Sequence, residues 1–167
     1  MDTLRIATRK SKLALWQANY VKQKILNINP KCRVELVEIV TVGDKVQDKP
    51  LADIGGKGLF IKALEQALLD NKADIAVHSM KDLPPELSHD FTIAAILERA
   101  DHRDVLLSQN HTSFANLAEG AVIGTCSVRR QAQLLSQRPD LRIKLLRGNV
   151  DTRVNKLKQG EFDAIVL

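Results

Sequence analysis

Residues 121–137 read AVIGTCSVRRQAQLLSQ, and this stretch decides the fold. Its apolar start predicts a strand, and its end, from Gln131 to Gln137, predicts a helix. The small residues between them form a corner. Because the first turn of a helix has free N–H groups and the positive end of the dipole, it favours an anion. Arg129 and Arg130 lie at this start, where cations are unfavourable unless an anion compensates them, so the sequence predicts an anion-binding corner.

The same order of strand, corner and helix recurs along the chain. Strands are predicted at 4–8, 33–41, 74–77, 91–97, 105–107, 121–123, 141–146 and 162–167, and helices at 12–27, 59–71, 131–137 and 151–158, with one helical turn at 114–118. The inward residues expected on the first two helices are Leu13, Trp16, Tyr20, Ile25, Leu59, Leu64, Leu68 and Leu69. This alternation predicts an α/β fold with mainly parallel sheets in two lobes. Charge interrupts the apolar pattern at 98–104, so we predict domain 1 at 1–98 and domain 2 at 99–167.

Composition limits the functional classes. The 167 residues include two cysteines, and the sequence shows neither an apolar leader nor a membrane-length apolar run, so a cytoplasmic location without a disulfide framework or a membrane partner is expected. Cys32 and Cys126 lack metal-ligand spacing with the histidines, so no metal site is predicted. A net charge of +5 admits nucleic acid or small polyanions as partners. The cations lie at corners and aromatic residues are few, which argues against nucleic acid.

A long polar segment at 43–58 contains Gly-Gly-Lys-Gly. It lacks both the Ser or Thr after the lysine and the preceding strand of a Walker phosphate loop. Two interpretations stay open for it, a flexible hinged loop and a lid over a site.

Cations accompany small hydroxyl or amide residues at the ends of four predicted strands. These corners hold Arg9 and Ser11; Lys81 and Asp82; Thr125, Ser127, Arg129 and Arg130; and Arg147, Asn149 and Arg153. Since ligands bind at the carboxyl edge of open α/β sheets, we expect a shared site for a ligand with several carboxylates or phosphates. Asp82 is either a structural ion-pair partner, which spacing alone favours, or a group that moves a proton or stabilises positive charge. His78 is interpreted as a packed residue, and Cys126 as either a nucleophile or a small buried filler.

Six motifs now identify a family. They are RIATRKS at 5–11, LALWQ at 13–17, GGKGLF at 55–60, ADIAVHSMKD at 73–82, GTCSVRR at 124–130 and LRGNVDTR at 146–153. In this order, over essentially the whole chain, they resemble the porphobilinogen deaminase (hydroxymethylbilane synthase) family.

The resemblance implies a transferase of tetrapyrrole (haem) biosynthesis that polymerises four porphobilinogen molecules into hydroxymethylbilane and releases ammonia. It implies a dipyrromethane cofactor held by a cysteine thioether, and lobes like those of type II periplasmic binding proteins with the active site in the cleft between them. Asp82 would be the catalytic carboxylate, and Lys57 would lie at the base of a mobile loop. The residues implied to hold or line cofactor and substrate are Arg9, Ser11, Gln17, Ser79, Lys81, Thr125, Ser127, Arg129, Arg130, Arg147, Gly148, Asn149 and Arg153.

Two departures from the family qualify these expectations. Cys126 stands where the family usually has Ser, which removes a hydroxyl donor, so Cys126 is left out of the binding set. The family is also considerably longer, and neither Cys32 nor Cys126 aligns with its cofactor cysteine. We therefore expect an N-terminal fragment with a truncated second lobe, inactive alone and open to self-association at its exposed sheet edge, from a monomeric parent. The alternative function is a non-catalytic binding module for a small polycarboxylate.

Overall fold

The computed structural model describes residues 3–41, 61–110 and 113–167. The chain divides into two compact units, Met1–Ala95 and Ile96–Leu167, and each is described by itself. The predicted loop or lid at 43–58, with Lys57, and the predicted inward residue Leu59 lie outside the described residues.

Unit 1 is a small parallel sheet with helices. Its elements are β1 (Thr3–Arg9), α1 (Lys12–Ile28), β2 (Arg33–Ile39), α2 (Lys62–Leu69), β3 (Ile75–Ala76) and a short 3-10 helix (Met80–Asp82). The strand order is β2-β1-β3, and both pairings are parallel. Because β1 and β3 pair in parallel, the corners that follow them lie at the same edge of this sheet.

The inward face of α1 differs from the prediction. Ala14 and Ala18 are buried, whereas Leu13 and Trp16 are 49% and 61% exposed. Ala18 packs with Ile25 against the strand residues Ile6 and Val34. Trp16 instead stacks on Tyr20, with 5.6 Å between the ring centroids. The predicted stripe was therefore wrong for Leu13 and Trp16.

Two further expectations for unit 1 and its end were wrong. In α2, Leu64 is buried as predicted, but Leu69 is 52% exposed. The strand predicted at 91–97 has no regular structure, and Ile96 within it is 71% exposed. An apolar segment becomes a strand only when a neighbouring strand pairs with it, and no described strand does so here.

Unit 2 is a four-stranded sheet with two helices. Its elements are β4 (Leu106–Ser108), a short 3-10 helix (Phe114–Asn116), β5 (Val122–Gly124), α3 (Val128–Gln137), β6 (Arg142–Lys144), α4 (Val150–Lys158) and β7 (Ala164–Val166). The order is β4-β7-β5-β6, antiparallel only between β4 and β7. The predicted α/β class with mainly parallel sheets is thus confirmed.

The core of unit 2 is closely packed at the end of β5. A Cβ added to Gly124 would lie 2.8 Å from Phe162, 3.0 Å from Ile165 and 3.0 Å from Leu146. These three side chains belong to one buried cluster. Glycine is therefore required directly before the corner that begins at Thr125.

Candidate anion-binding site

The first corner of unit 1 connects β1 to α1. Ser11 is the N-cap of α1, and its Oγ accepts a hydrogen bond of 3.3 Å from the Ala14 N–H. Thr8 is buried, and its hydroxyl donates to the Ala14 carbonyl at 3.2 Å. Arg9, the last residue of β1, is half-buried between them. The Ser11 side chain therefore caps α1, and Arg9 is the charged residue of this corner.

The second corner of unit 1 follows β3 and is tied to α1. The side-chain amide of Gln17 donates to Ser79 Oγ at 3.0 Å, and the Ser79 hydroxyl lies 3.2 Å from Gln17 Oε1. The N–H of Asp82 donates to the Ser79 carbonyl at 2.9 Å, which forms the 3-10 turn. Asp82 is half-buried on this turn, and Lys81 is exposed. Four of the predicted site residues thus share one corner.

His78 belongs to this corner as well. Its burial lowers the pKa of the imidazole, the Asp82 carboxylate opposes that shift, and the Arg9 guanidinium adds to it. Both charges therefore act on the His78 ring. The sequence interpretation treated His78 as packing, although its position directly before Ser79 was the available signal that it borders the corner.

Asp74 is a carboxylate of unit 1 that does form a structural ion pair. Arg5 Nη2 donates to Asp74 Oδ1 at 2.8 Å, and the Arg5 N–H donates to Oδ2 at 2.7 Å. Within the described ranges, Asp82 forms no ion pair. The geometry thus weakens the interpretation of Asp82 as a structural partner.

The first corner of unit 2 caps α3. Ser127 Oγ accepts from the Arg130 N–H at 3.3 Å, and Thr125 Oγ1 accepts from the Ser127 N–H at 3.2 Å. The helix begins at Val128, so Arg129 and Arg130 do lie in its first turn. Cys126 is exposed, so its interpretation as a buried filler was wrong.

The two adjacent arginines have different environments. Arg129 is exposed. Arg130 donates through Nη1 to the Val166 carbonyl at 3.1 Å and through Nη2 to Asp104 Oδ1 at 2.8 Å. Its Nε is buried with no hydrogen-bond partner in the described chain.

The second corner of unit 2 caps α4. Asn149 Oδ1 accepts from the Thr152 N–H at 2.9 Å and from the Thr152 hydroxyl at 2.8 Å. Gly148 has a φ of +113°, and a Cβ there would lie 2.7 Å from Thr152 Cγ2. Arg153 Nε donates to the Gly148 carbonyl at 2.8 Å. The Arg153 side chain therefore contacts the turn at Gly148, which directly follows Arg147.

Arg147 is the least satisfied cation of this corner. The residue is only 9% exposed, and its Nη1 is buried without a hydrogen-bond partner among the described residues. An unpaired buried donor is destabilising, and a ligand that brings a hydrogen-bond acceptor to this corner would satisfy it.

The corners after β5 and β6 are neighbours. These two strands pair in parallel, with Gly124 opposite Lys144. Beyond their ends, the Thr125 N–H donates to the Lys144 carbonyl at 3.1 Å, and the Leu146 N–H lies 3.4 Å from the Thr125 carbonyl. Two capped helix starts and their arginines thus share one edge of the sheet, where an anion is favoured.

An open depression of about 420 Å³ is lined by Asp101, Arg103, Asp104, Val105 and Leu106, and Asp104 also accepts a hydrogen bond from Arg130. None of the site residues predicted from sequence lines it. No described helix is long and apolar enough to cross a membrane. The described residues also contain no group of three or more His, Cys, Asp or Glu that could hold a metal ion.

Two solved structures have a similarity to this chain. A putative L-cystine ABC transporter from Listeria monocytogenes shares 17% identity, with a TM-score of 0.40 over 99% of this chain and 69% of the other. The periplasmic aliphatic sulphonate binding protein SsuA from Escherichia coli shares 16% identity, with a TM-score of 0.42 over 100% of this chain and 51% of the other.

The comparison with protein families agrees with the motifs. The family model described as "Porphobilinogen deaminase, dipyromethane cofactor binding domain" matches residues 4–167. The matched domain is thus the one that binds the dipyrromethane cofactor in that family, as the motifs predicted. The chain belongs to the porphobilinogen deaminase family.

Proposed function

We propose that the protein polymerises four porphobilinogen molecules into hydroxymethylbilane with release of ammonia, and that this chain binds the pyrrole carboxylates. The observation that carries the proposal is the buried, unpaired Nη1 of Arg147 beside two helix starts. A carboxylate that pairs with a guanidinium in a partly buried site forms a strong, oriented hydrogen bond. Porphobilinogen and dipyrromethane both carry acetate and propionate side chains that can supply it.

The donor set of unit 2 fits dipyrromethane. Arg147 Nη1 and Arg130 Nε are buried donors without partners in the described chain, and the exposed Arg129 adds a third guanidinium. Several fixed cations at one sheet edge match a group that bears several carboxylates. When bound, dipyrromethane would supply the covalently held pyrrole end that is extended. Arg129, Arg130, Arg147 and Arg153 would hold its carboxylates.

The capping residues contribute to binding indirectly. Ser11, Ser127 and Asn149 use their side-chain oxygens within their own helix starts, so they fix the first turns whose remaining N–H groups face an anion. Thr125 accepts a hydrogen bond from the Ser127 N–H through its side-chain oxygen, and Gly148 adopts the positive φ that its turn requires. The proposed contributors in unit 1 are Arg9, Gln17, Ser79 and Lys81, and Lys57 stays a proposal from the motif.

Asp82 is the proposed catalytic residue. Its half-buried carboxylate forms no ion pair with a described residue, so it can accept a hydrogen bond from a pyrrole N–H. A fixed negative charge there would stabilise the positive charge that develops as ammonia leaves. Asp82 lies close enough to His78 for its negative charge to act on the imidazole ring.

We further propose that this chain alone does not turn over. Its cysteines, the half-buried Cys32 and the exposed Cys126, are both free, and neither corresponds by motif to the cofactor cysteine of the family. The cytoplasmic location, the monomeric parent and the division into domains at 98/99 also remain proposals. Intact-mass measurement after incubation with porphobilinogen should show no covalent adduct, and absorbance should show no product.

A non-catalytic polycarboxylate-binding module is the second candidate, because the unpaired arginine donors would serve it equally well. Replacement of Asp82 separates the two candidates. In the full-length enzyme, Asp82→Asn should abolish ammonia release and leave porphobilinogen affinity within about threefold, because a neutral amide keeps the shape and loses the charge. Unchanged turnover would contradict the catalytic role, and absence of turnover by the unsubstituted enzyme would favour the binding module.

The binding role itself is tested by calorimetric titration of porphobilinogen into the chain. Arg147→Met should weaken binding by about tenfold or more, as expected for the loss of one charged hydrogen bond. Arg142→Met is the matched control, since Arg142 is an exposed arginine on the adjoining strand β6. Equal losses in both variants would contradict a specific role for Arg147.

A further inference from the structure

Arg130 is held from two sides within unit 2. Its Nη2 donates to Asp104 Oδ1 at 2.8 Å, and its Nη1 donates to the Val166 carbonyl at the end of β7. The Arg130 side chain is 19% exposed, whereas Asp104 lies at the surface, with 35% of its side chain exposed. Asp104 lies on the segment before β4, far from Arg130 in sequence.

The third nitrogen of the Arg130 guanidinium, Nε, takes part in neither of these two contacts. Arg130 Nε is buried and has no hydrogen-bond partner among the described residues. A purely structural arginine would be expected to use all its buried donors, because an unused one is costly. The neighbouring Arg129 is exposed and has no comparable pair of contacts among the described residues.

We propose that Asp104 is a positioning residue that orients the Arg130 guanidinium, so that its unpaired Nε–H is presented to a carboxylate of the ligand. A guanidinium is planar, so two fixed Nη contacts also fix the direction of the Nε–H bond. Asp104 acts through Arg130 and touches no ligand itself. The identity of the ligand rests on the proposed function, whereas the orientation of Arg130 does not.

Nuclear magnetic resonance on the full chain tests the orientation directly. The Nε–Hε signal of Arg130 is assigned by its loss in Arg130→Lys. In the unsubstituted chain this signal should exchange slowly with water. In Asp104→Ala it should shift and exchange at least about tenfold faster, because one of the two contacts that hold the plane is lost, and Asp104→Asn, which keeps an acceptor, should lie between them. Asp101→Ala is the matched control, since Asp101 pairs with Arg103 and not with Arg130.

Calorimetric titration with porphobilinogen gives the second measurement. Asp104→Ala should weaken binding by about tenfold, and Asp104→Asn by less, with Asp101→Ala unchanged. An Nε–Hε signal of Arg130 that is unaltered in Asp104→Ala would overturn the positioning role. Equal binding by all three variants would also overturn it. Absence of binding by the unsubstituted chain would overturn the proposed function, and the resonance measurement would then still test the orientation of Arg130.

Discussion

Arg147 offers a perturbation in which stability and binding should change in opposite directions. Its Nη1 is buried without a partner in the described chain, and only 9% of the residue is exposed. An unsatisfied buried donor costs about 1–3 kcal/mol. Methionine removes the donor and the charge while it keeps most of the flexible apolar stem. We therefore expect Arg147→Met to raise the free energy of unfolding of the ligand-free chain by about 1–2 kcal/mol, after some loss of packing.

Urea unfolding followed by circular dichroism measures this change. The midpoint should rise while the slope with denaturant stays constant, which would show that stability and not compactness has changed. The control Arg142→Met should alter the free energy of unfolding by less than about 0.5 kcal/mol, as is usual for exposed positions. If Arg147→Met instead lowered it by about 1 kcal/mol or more, Arg147 would be a satisfied structural residue and the reasoning would be refuted.

Three other substitutions test the structure around the corners. Gly124→Ala should destabilise the fold by about 1–3 kcal/mol, seen as a lower urea midpoint, because its new methyl group would meet three buried side chains at 3.0 Å or less; a neutral effect would contradict the close packing. Asn149→Ala should cost about 1 kcal/mol through loss of the α4 cap on Thr152, whereas Asn149→Asp should retain most of it. Hydrogen bonding to Arg138 lowers the pKa of Asp140 from 3.8 to about 2, so this carboxylate stabilises the fold above about pH 4 and the contribution is lost as the pH falls towards 2. Asp140→Asn should flatten that part of an acid unfolding curve, and an unchanged curve would exclude the pair as a contributor.

Local patterns were sufficient for the fold class and for the corners of unit 2. Residues 121–137 predict a strand, a small-residue corner and a helix, and β5 and α3 occupy these positions. Because parallel strands bring their carboxyl ends to one edge, the corners of Thr125 and Arg147 were predicted at a shared sheet edge, and the pairing of β5 with β6 makes them neighbours.

Features that depend on packing partners could not be predicted from local patterns. The face of α1 was misjudged because Ala14 and Ala18, and not Trp16, fit the close approach to the sheet. The segment 91–97 has a strand-like pattern, but strand formation requires a neighbour that sequence alone does not identify. Arg130 pairs with Asp104, which is far away in sequence. Spacing therefore gave no indication that Arg130 is held in place while the neighbouring Arg129 is exposed.

The central claim is that the arginine corners of unit 2 bind pyrrole carboxylates. Its most direct test is a titration of the ¹⁵N-labelled chain with porphobilinogen, followed through backbone amide shifts. We expect saturable shifts that concentrate at Thr125–Arg130 and Arg147–Arg153 and that are lost in Arg147→Met but kept in Arg142→Met. Saturable shifts confined to the depression at 101–106, or no shifts at either corner, would contradict it.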